Sequence, residues 1–443
     1  MYEISRRLMM ANYPQQVKEK LMEIIKKVSQ QKELHVFNPD TDFTRNRKLD
    51  FEKMLLLLHT LSTQTLTYEL MEYFDFELSE TPTSSAFIQQ REKIKISAFD
   101  SIFKGFVKEF YPHTVENDYK ILAVDGTDIN IAYNPNCKRS FNQSLKDSRG
   151  YNQLHLTALF DLKHKMYLDF VIQGKREHNE YKALNEIVDH SDIGGKVLLL
   201  ADRGFESYNV FEHINKKGWN YAIRVKDIYS NGICSSFELP DGEFDITVEK
   251  ILTRKQTKLT KGDRKYKFLP SNSHFDFFDD TQQYYPIRLR IVRFKISTDT
   301  YETLITNLND KEYCLKQFKE LYNMRWGIET GFREIKHTVG LEFFHSKKIA
   351  SIIQEIYAKF TLYNFCEIIT HSVVIEQKSK LYTYQVNFTL AIKACLRYFR
   401  LTKDATFDLI ALIAKHNEPI RPNRSFKRKG KSAVQSFSYR VTR

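Results

Sequence analysis

The chain has little of what would hold a secreted, zinc-bound or membrane-bound protein together. It carries five cysteines in 443 residues, and Cys137, Cys234, Cys314, Cys366 and Cys395 are far apart, with no C-x-x-C pair and no Cys/His zinc spacing. That excludes a disulfide framework or a zinc ribbon and fits free thiols in a reducing compartment. The first ten residues, MYEISRRLMM, lack the apolar stretch and small-residue cleavage site of a signal peptide. The densest apolar run, Met54 to Leu58, is far too short to cross a bilayer. Internal repeats and low-complexity tracts are absent, and tryptophan occurs only at Trp219 and Trp326. These absences predict a cytoplasmic chain with no membrane partner and, in a bacterium, access to the nucleoid.

What is present is length and positive charge. A chain of 443 residues is long enough for two to three domains and a large core without staples. Lysine plus arginine number 68 against 55 acidic residues, a net charge of +13. Such an excess favours a polyanionic partner, most often nucleic acid.

The pattern changes along the chain. Residues 1–115 read as a helical, DNA-binding region: LDFEKMLLLLHTL, TQTLTYELMEYF and SSAFIQQREKI carry helical periodicity, with Thr83, Ser84 or Ser85 as a cap after Pro82. Gln89, Gln90 and Arg91 face outward in a helix-turn-helix reading, which competes with a bundle that only packs. From Tyr119 the order becomes β-β-β-α-β-α-β: KILAVDGTDI, LHLTALFDL, MYLDFVIQG, NEYKALNEIVDH, KVLLLADRGF, SYNVFEHINKKG closed by Gly218, and WNYAIRVKD. That is the order of a ribonuclease-H-like α/β core, a mixed sheet with helices on its faces. It occupies residues 116–227 and resumes at 304–375. Between them, 228–303 reads as a β-strand insertion domain. Its strand YPIRLRIVRFKI sets Arg288 and Arg290 on one basic face that tracks DNA. Residues 376–443 form a C-terminal helical region whose tail, from about Arg421, is basic and weakly ordered.

Three carboxylates stand out. Asp125 ends the first core strand, Asp202 ends a later one, and Glu329 lies on the helix after the insertion. Strand ends on one edge of a sheet meet in space although distant in sequence. Carboxylates gathered at one site raise each other's pKa unless a cation is present, and Mg²⁺ or Mn²⁺ prefers such hard oxygen ligands. On a single helix at about 100° per residue, Tyr322, Arg325, Glu329 and Lys336 share a stripe within about 60°, joined by Arg333. Leu321, Met324, Ile328, Phe332, Ile335 and Val339 fall on the neighbouring, core-facing side. Each residue taken singly has a plainer role: a turn or cap for the aspartates, an i, i+4 pair with Arg325 or Arg333 for Glu329. Asp128 rivals Asp125 or caps a turn. Jointly they are the parts of a metal-dependent nuclease.

The run Tyr322-x₂-Arg325-x₃-Glu329-x₆-Lys336 resembles the Tyr-Arg-Glu-Lys signature of the DDE transposases in insertion-sequence family four. VDGTD around Asp125 and ADRGFESYNVF around Asp202 resemble that family's two aspartate motifs, and the strand-rich stretch before the glutamate falls where the family has its insertion. The resemblance spans about Arg45 to Lys359 and implies cut-and-paste transposition. Asp125, Asp202 and Glu329 then hold two Mg²⁺ ions, which Mn²⁺ replaces, while Tyr322, Arg325, Lys336 and Arg333 grip DNA phosphate. The implied partners are double-stranded DNA, as terminal inverted repeats and target, and a second copy of the chain in a synaptic dimer. Trp326, beside the basic stripe, is the residue placed to stack on a flipped base, with half-buried packing as its plainer role; Trp219 belongs to the core. Two other functions fit the same residues: a transposase-derived DNA-binding protein, and a ribonuclease-H-like nuclease without strand transfer. His178 and Glu180, in REHNEYKAL, are read as the start of a helix rather than as part of the site.

Overall fold

A computed structural model describes residues 2–112, 118–143, 150–258, 260–279, 281–297, 300–309, 313–375, 377, 382–401 and 407–420. The basic tail expected from Arg421 lies outside the described residues. The chain opens with helices α1 (Tyr2–Gln30), α2 (Lys32–His35), α3 (Phe51–Thr60), α4 (Leu66–Tyr73), α5 (Ser84–Arg91) and α6 (Ser97–Phe110). The caps are those the sequence predicts: the Asp50 carboxylate accepts from Lys53 N, and the Thr83 hydroxyl accepts from Ala86 N. Of the three residues expected to face outward on α5, only Gln89 does; Gln90 and Arg91 are buried. Arg91 is spent on α11 (Ile349–His371), where Nη1 donates to Glu355 Oε1 at 2.8 Å and Nε to Gln354 Oε1 at 2.9 Å. This face of α5 is a structural joint and is not available to read bases.

The sheet is assembled from β1 (Lys120–Ile131), β2 (Phe141–Asn142), β3 (Tyr151–Asp161), β4 (Met166–Gly174), β5 (Val197–Ala201), β6 (Asn220–Val225), β7 (Phe244–Thr253), β8 (Tyr266–Phe268), β9 (Tyr284–Ser297) and β10 (Thr300–Thr306). Its order is β2-β3-β1-β5-β6-β10-β9-β7-β8, with β4 on the other side of β3. β1, β3 and β4 are antiparallel, whereas β5 and β6 run parallel to β1. The crossovers are α7 (Glu180–His190) and α8 (Tyr208–Lys216), the latter closed by Gly218 at φ +75°. Every element expected between Tyr119 and Asp227 is therefore found, in the expected order.

The strand-rich stretch after Asp227 shares the sheet of the core. β10 pairs antiparallel with β6, and β9 and β7 follow, so these strands lengthen the core sheet. Alternation of apolar residues marks a strand but not its neighbour, so the sequence alone could not assign β10 to β6. Its basic face also divides. Arg288 is exposed, with Glu249 at 3.8 Å, while Arg290 is buried and bidentate to Asp245.

The helix expected to carry the Tyr-Arg-Glu-Lys residues is not continuous. α9 (Leu315–Met324) and α10 (Trp326–Glu334) meet at Arg325, and a π-helical turn, Ile335–Val339, ends at Gly340 with φ +87°. Gly327 and Gly331 bring α10 close to the sheet: a Cβ on Gly327 would lie 2.8 Å from Leu162, and one on Gly331 3.0 Å from the Tyr167 hydroxyl. Behind α10, α11 is buried along most of its length. Its Asn364 side chain accepts from Tyr167 N at 2.9 Å and donates to Tyr167 O at 2.8 Å, filling the outer edge of β4 as a strand would. α12 (Phe388–Arg400), α13 (Leu409–Lys415) and a small ribbon of β11 (Tyr384–Val386) with β12 (Asn417–Pro419) complete the described chain and pack back on α11, α3 and α1.

Glu355 is fully buried, and burial alone would raise its pKa, yet Arg91 and His345 hold it down to about 2. Its contribution to stability is therefore present above the unfolded value of 4.5 and lost as pH falls toward 2. Arg91→Ala strips this buried carboxylate of its guanidinium and leaves His345 to hold it alone. Urea unfolding at pH 7 should show a loss of about 3–5 kcal/mol, shrinking as the pH is lowered through that window; an unchanged midpoint would refute the pairing.

Candidate active site

The parallel pairing of β1 with β5 ends at Val124–Ala201. The next residue on each strand is an aspartate, so Asp125 and Asp202 leave neighbouring strands side by side at about the 4.8 Å strand spacing. Asp125 does not end its strand, as the sequence suggested: β1 continues to Ile131 against β3. It ends only the pairing with β5. Asp202 caps the turn Arg203–Phe205, accepting from Arg203 N at 2.8 Å, and Asp125 Oδ1 accepts from Gly126 N at 2.8 Å.

Glu329 reaches the same place from α10. Its Oε1 accepts from Arg325 Nη2 at 2.9 Å, and Arg325 Nη1 lies 3.6 Å from Asp125 Oδ2. One guanidinium thus lies between Asp125 and Glu329. Asp202 is farther along the edge, with Oδ1 3.5 Å from the Tyr322 hydroxyl and 3.6 Å from Arg224 Nη1. Arg325 is only 2% exposed, and its Nε and Nη1 have no hydrogen-bond partner. A buried guanidinium with idle donors is expensive unless nearby negative charge holds it. Here burial would lower its pKa, but the acidic groups around it, Tyr322, Glu329, Asp202 and Asp125, raise it.

The carboxylates respond in kind. Asp125 is pushed up to about 6, chiefly by burial, with Glu329 and Asp202 adding to the rise against Gly126 N–H and Arg325. Among the described residues no group of three or more His, Cys, Asp or Glu side chains stands ready to hold a metal. Asp125 and Glu329 converge on Arg325, with Asp202 beside them at the next strand end, instead of all three on a common point. Their chemistry nonetheless fits a hard divalent cation: each offers carboxylate oxygens, and positive charge already occupies the space between two of them.

The remaining predicted residues separate. Tyr322 and Arg325 are buried at the site, the reverse of an outward-facing basic stripe, and Met324, expected in the core, is exposed. Arg325 itself keeps helical backbone angles, φ −50° and ψ −33°, and the buried face of this segment extends over Tyr322 and Arg325. Burial raises the Tyr322 phenol and lowers the Lys336 ammonium. Lys336, on the π-helical turn, donates to Asp128 O at 2.8 Å, joining this helix to β1 beyond the site. Arg333 is exposed on α10. Trp326 is 44% exposed, with the Arg325 guanidinium 4.9 Å from its ring, whereas Trp219 is buried as expected. Arg288 and Arg290, on β9, share no contact with this group.

Asp128, three residues along the strand from Asp125, carries its side chain on the opposite face of the sheet. There it accepts from His155 Nδ1 at 2.7 Å and Lys175 Nζ at 2.7 Å, which outweigh burial and hold it down to about 2. Three groups escaped the sequence reading. Arg224 on β6 lies between Asp202 and Glu302 Oε1, 3.4 Å away on β10; nothing in a lone arginine or a strand glutamate signals this before the β10–β6 pairing is known. Glu180 does begin α7, as expected, but its carboxylate also comes beside Gly126 and Gly204. The signal was its position two residues past His178, in the connection from β4 to α7.

The model of a family described as a transposase DDE domain matches residues 116–365, more than half of the chain. No curated protein matches it. Among solved structures, a piggyBac transposase synaptic complex with hairpin DNA, determined by cryo-EM, aligns with 95% of this chain and 88% of its own at 12% identity and a TM-score of 0.45. That likeness is too distant to carry an argument.

Arg325→Met should destabilise the protein in chelator-treated buffer, because Asp125 and Glu329 lose the cation between them. A loss of about 3 kcal/mol or more by urea unfolding is expected; a gain would show that the guanidinium costs more than it returns.

Proposed function

The chain belongs to the transposase DDE-domain family, and from that premise we propose that it moves an insertion sequence by cut-and-paste transposition, with Asp125, Asp202 and Glu329 as its catalytic carboxylates. The observation that carries the proposal is the convergence of Asp125 and Glu329 on one buried guanidinium, beside the strand end that bears Asp202. A ribonuclease-H-like core is the reading of the β4-β3-β1-β5-β6 segment, three antiparallel strands followed by two parallel ones.

DDE transposases are in general dependent on divalent metal. The proposal assigns two Mg²⁺ ions, replaceable by Mn²⁺, to the three carboxylates. Bound metal of this kind activates a water or hydroxyl nucleophile and stabilises the leaving 3′ oxygen. The protein's own groups do the rest. Asp125, Asp202 and Glu329 supply hard oxygen donors from two strands and a helix. Arg325, released from two carboxylates when their charge is neutralised otherwise, has its idle donors available for a DNA phosphate, bidentate as guanidinium prefers. Tyr322, within 3.5 Å of Asp202, donates its phenolic proton at the same edge. Lys336 and exposed Arg333 extend the positive surface, and Arg288 adds to it from β9. Arg290 is withdrawn from that role by its pairing with Asp245. Trp326 is exposed enough to stack on a base.

The partners proposed are double-stranded DNA, as terminal inverted repeats and target, and a second copy of the chain in a synaptic dimer, because two ends are cut together. No helix among the described residues is long and apolar enough to cross a membrane. Placement in the cytoplasm with the nucleoid follows from the proposed substrate.

The test is strand cleavage on duplexes carrying the DNA that flanks the gene. Asp125→Asn, Asp202→Asn and Glu329→Gln should each reduce Mg²⁺-dependent nicking by more than about a hundredfold, beyond the loss usual for an outer-shell partner, with duplex binding retained. Full nicking by any of them overturns its assignment. Trp326→Ala should nick normally but form hairpins poorly, as loss of about 1–3 kcal/mol of base stacking implies; normal hairpin yield would assign the ring to packing alone.

A further inference from the structure

Behind the candidate site lies a polar assembly, centred on one buried histidine, that the proposed chemistry leaves unused. His155, on β3 and almost wholly buried, is directly opposite Asp128 of β1. Its Nδ1 lies 2.7 Å from Asp128 Oδ1, and its Nε2 lies 3.0 Å from Glu180 Oε1. The second contact is poorly aligned, and Nε2 has no hydrogen-bond partner. Asp128 is fixed further by Lys175 through both oxygens and by Lys336 on its carbonyl. Enclosing an imidazole beside two part-exposed carboxylates and a part-exposed lysine costs desolvation that an apolar side chain at His155 would avoid. What the arrangement achieves is the location of one carboxylate, that of Glu180.

That location is specific. A Cβ on Gly126 would fall 2.2 Å from Glu180 Oε1, and one on Gly204 would fall 3.4 Å from Oε2. Gly126 follows Asp125, and Gly204 is two residues past Asp202. The Glu180 carboxylate therefore bridges the backbones of the two aspartate-bearing segments, at the notch where β1 and β5 part beyond Val124–Ala201. Any larger residue at position 126 would occupy the same space. Gly126 faces the side of the sheet opposite Asp125, so Glu180 approaches from the α7 side while Glu329 approaches from the α10 side. Glu180 remains part-exposed, at 30% of its side chain, unlike the histidine that holds it.

We propose that Glu180 is a fourth carboxylate of the candidate site, helping to hold the divalent cation from the α7 side, and that His155, gripped by Asp128, is the residue that positions it. This rests on the reading of Asp125 and Asp202 as metal ligands. Glu180 supplies one more hard oxygen donor, directly or through a bound water. His155 does not touch the cation; it acts through Glu180.

The experiment is calorimetric titration of the full chain, without DNA, with Mn²⁺. Glu180→Gln should weaken Mn²⁺ binding by about tenfold or more while leaving the melting temperature in chelator unchanged or raised. Glu180→Ala should do the same, which guards against an effect peculiar to the amide. His155→Asn should weaken binding less than Glu180→Gln, and should add little when Glu180 is already Gln. Wild-type affinity in both Glu180 variants, with Asp125→Asn unable to bind, overturns the fourth-carboxylate role and leaves the three-carboxylate site standing. A wild-type chain that takes up no Mn²⁺ overturns both. Equal losses from His155→Asn with and without Glu180 overturn the positioning role.

Discussion

One buried guanidinium makes the end of this sheet tolerable. Asp125 and Glu329 both face Arg325, and Asp202 adds its field from the adjacent strand end. Without positive charge among them, ionised carboxylates this close would repel strongly in a poorly hydrated interior. Arg325 supplies that charge from the junction of α9 and α10. It is held there because Gly327 and Gly331 let α10 lie close against β3 and β4. The cost appears as idle donors on Arg325 and a carboxyl at Asp125 that ionises only near pH 6. On the proposed function this arrangement suits an external cation and a phosphodiester, because Arg325, if displaced, would already lie beside the substrate.

The rigid surround comes from elements with no chemistry of their own. The register of β1 on β5 fixes the two aspartates to within a strand spacing. The buried helix α11 holds α10 from behind, supplies Asn364 as a false strand partner to β4, and is clamped to the N-terminal helices by the Arg91–Glu355 pair. The strands after Asp227 extend the sheet and contribute Glu302, which with Arg224 sets the electrostatic neighbourhood of Asp202. The N-terminal helices, the strand-rich stretch and the core thus act on one site.

Much of this was legible in the sequence, for reasons that can be named. The core strands are short apolar runs bounded by polar turns, and their order followed from counting them. Asp125, Asp202 and Glu329 stood out because two aspartates that each close a short apolar run and a glutamate among cations are unusual together. What was not legible depended on pairing or on backbone breaks. A period of two cannot say that β10 adjoins β6, so the insertion was read as separate. A helical wheel sorts faces by apolar side chains, so it set Met324 inside and could not foresee that Tyr322 and Arg325 are buried by the charges they meet. The alternation of β9 placed Arg288 and Arg290 together but could not anticipate Asp245. Glu180 was read correctly as a helix start, yet its approach to Gly126 follows only from the crossover geometry.

The central claim is that Asp125, Asp202 and Glu329 hold divalent metal in common. Crystals of the full chain soaked in Mn²⁺ and measured for anomalous scattering test it most directly. The account predicts strong peaks bounded by those three side chains, with Arg325 moved away from at least one of them. Peaks only elsewhere, or an unmoved Arg325 with no peak beside Asp125 at saturating Mn²⁺, would contradict it.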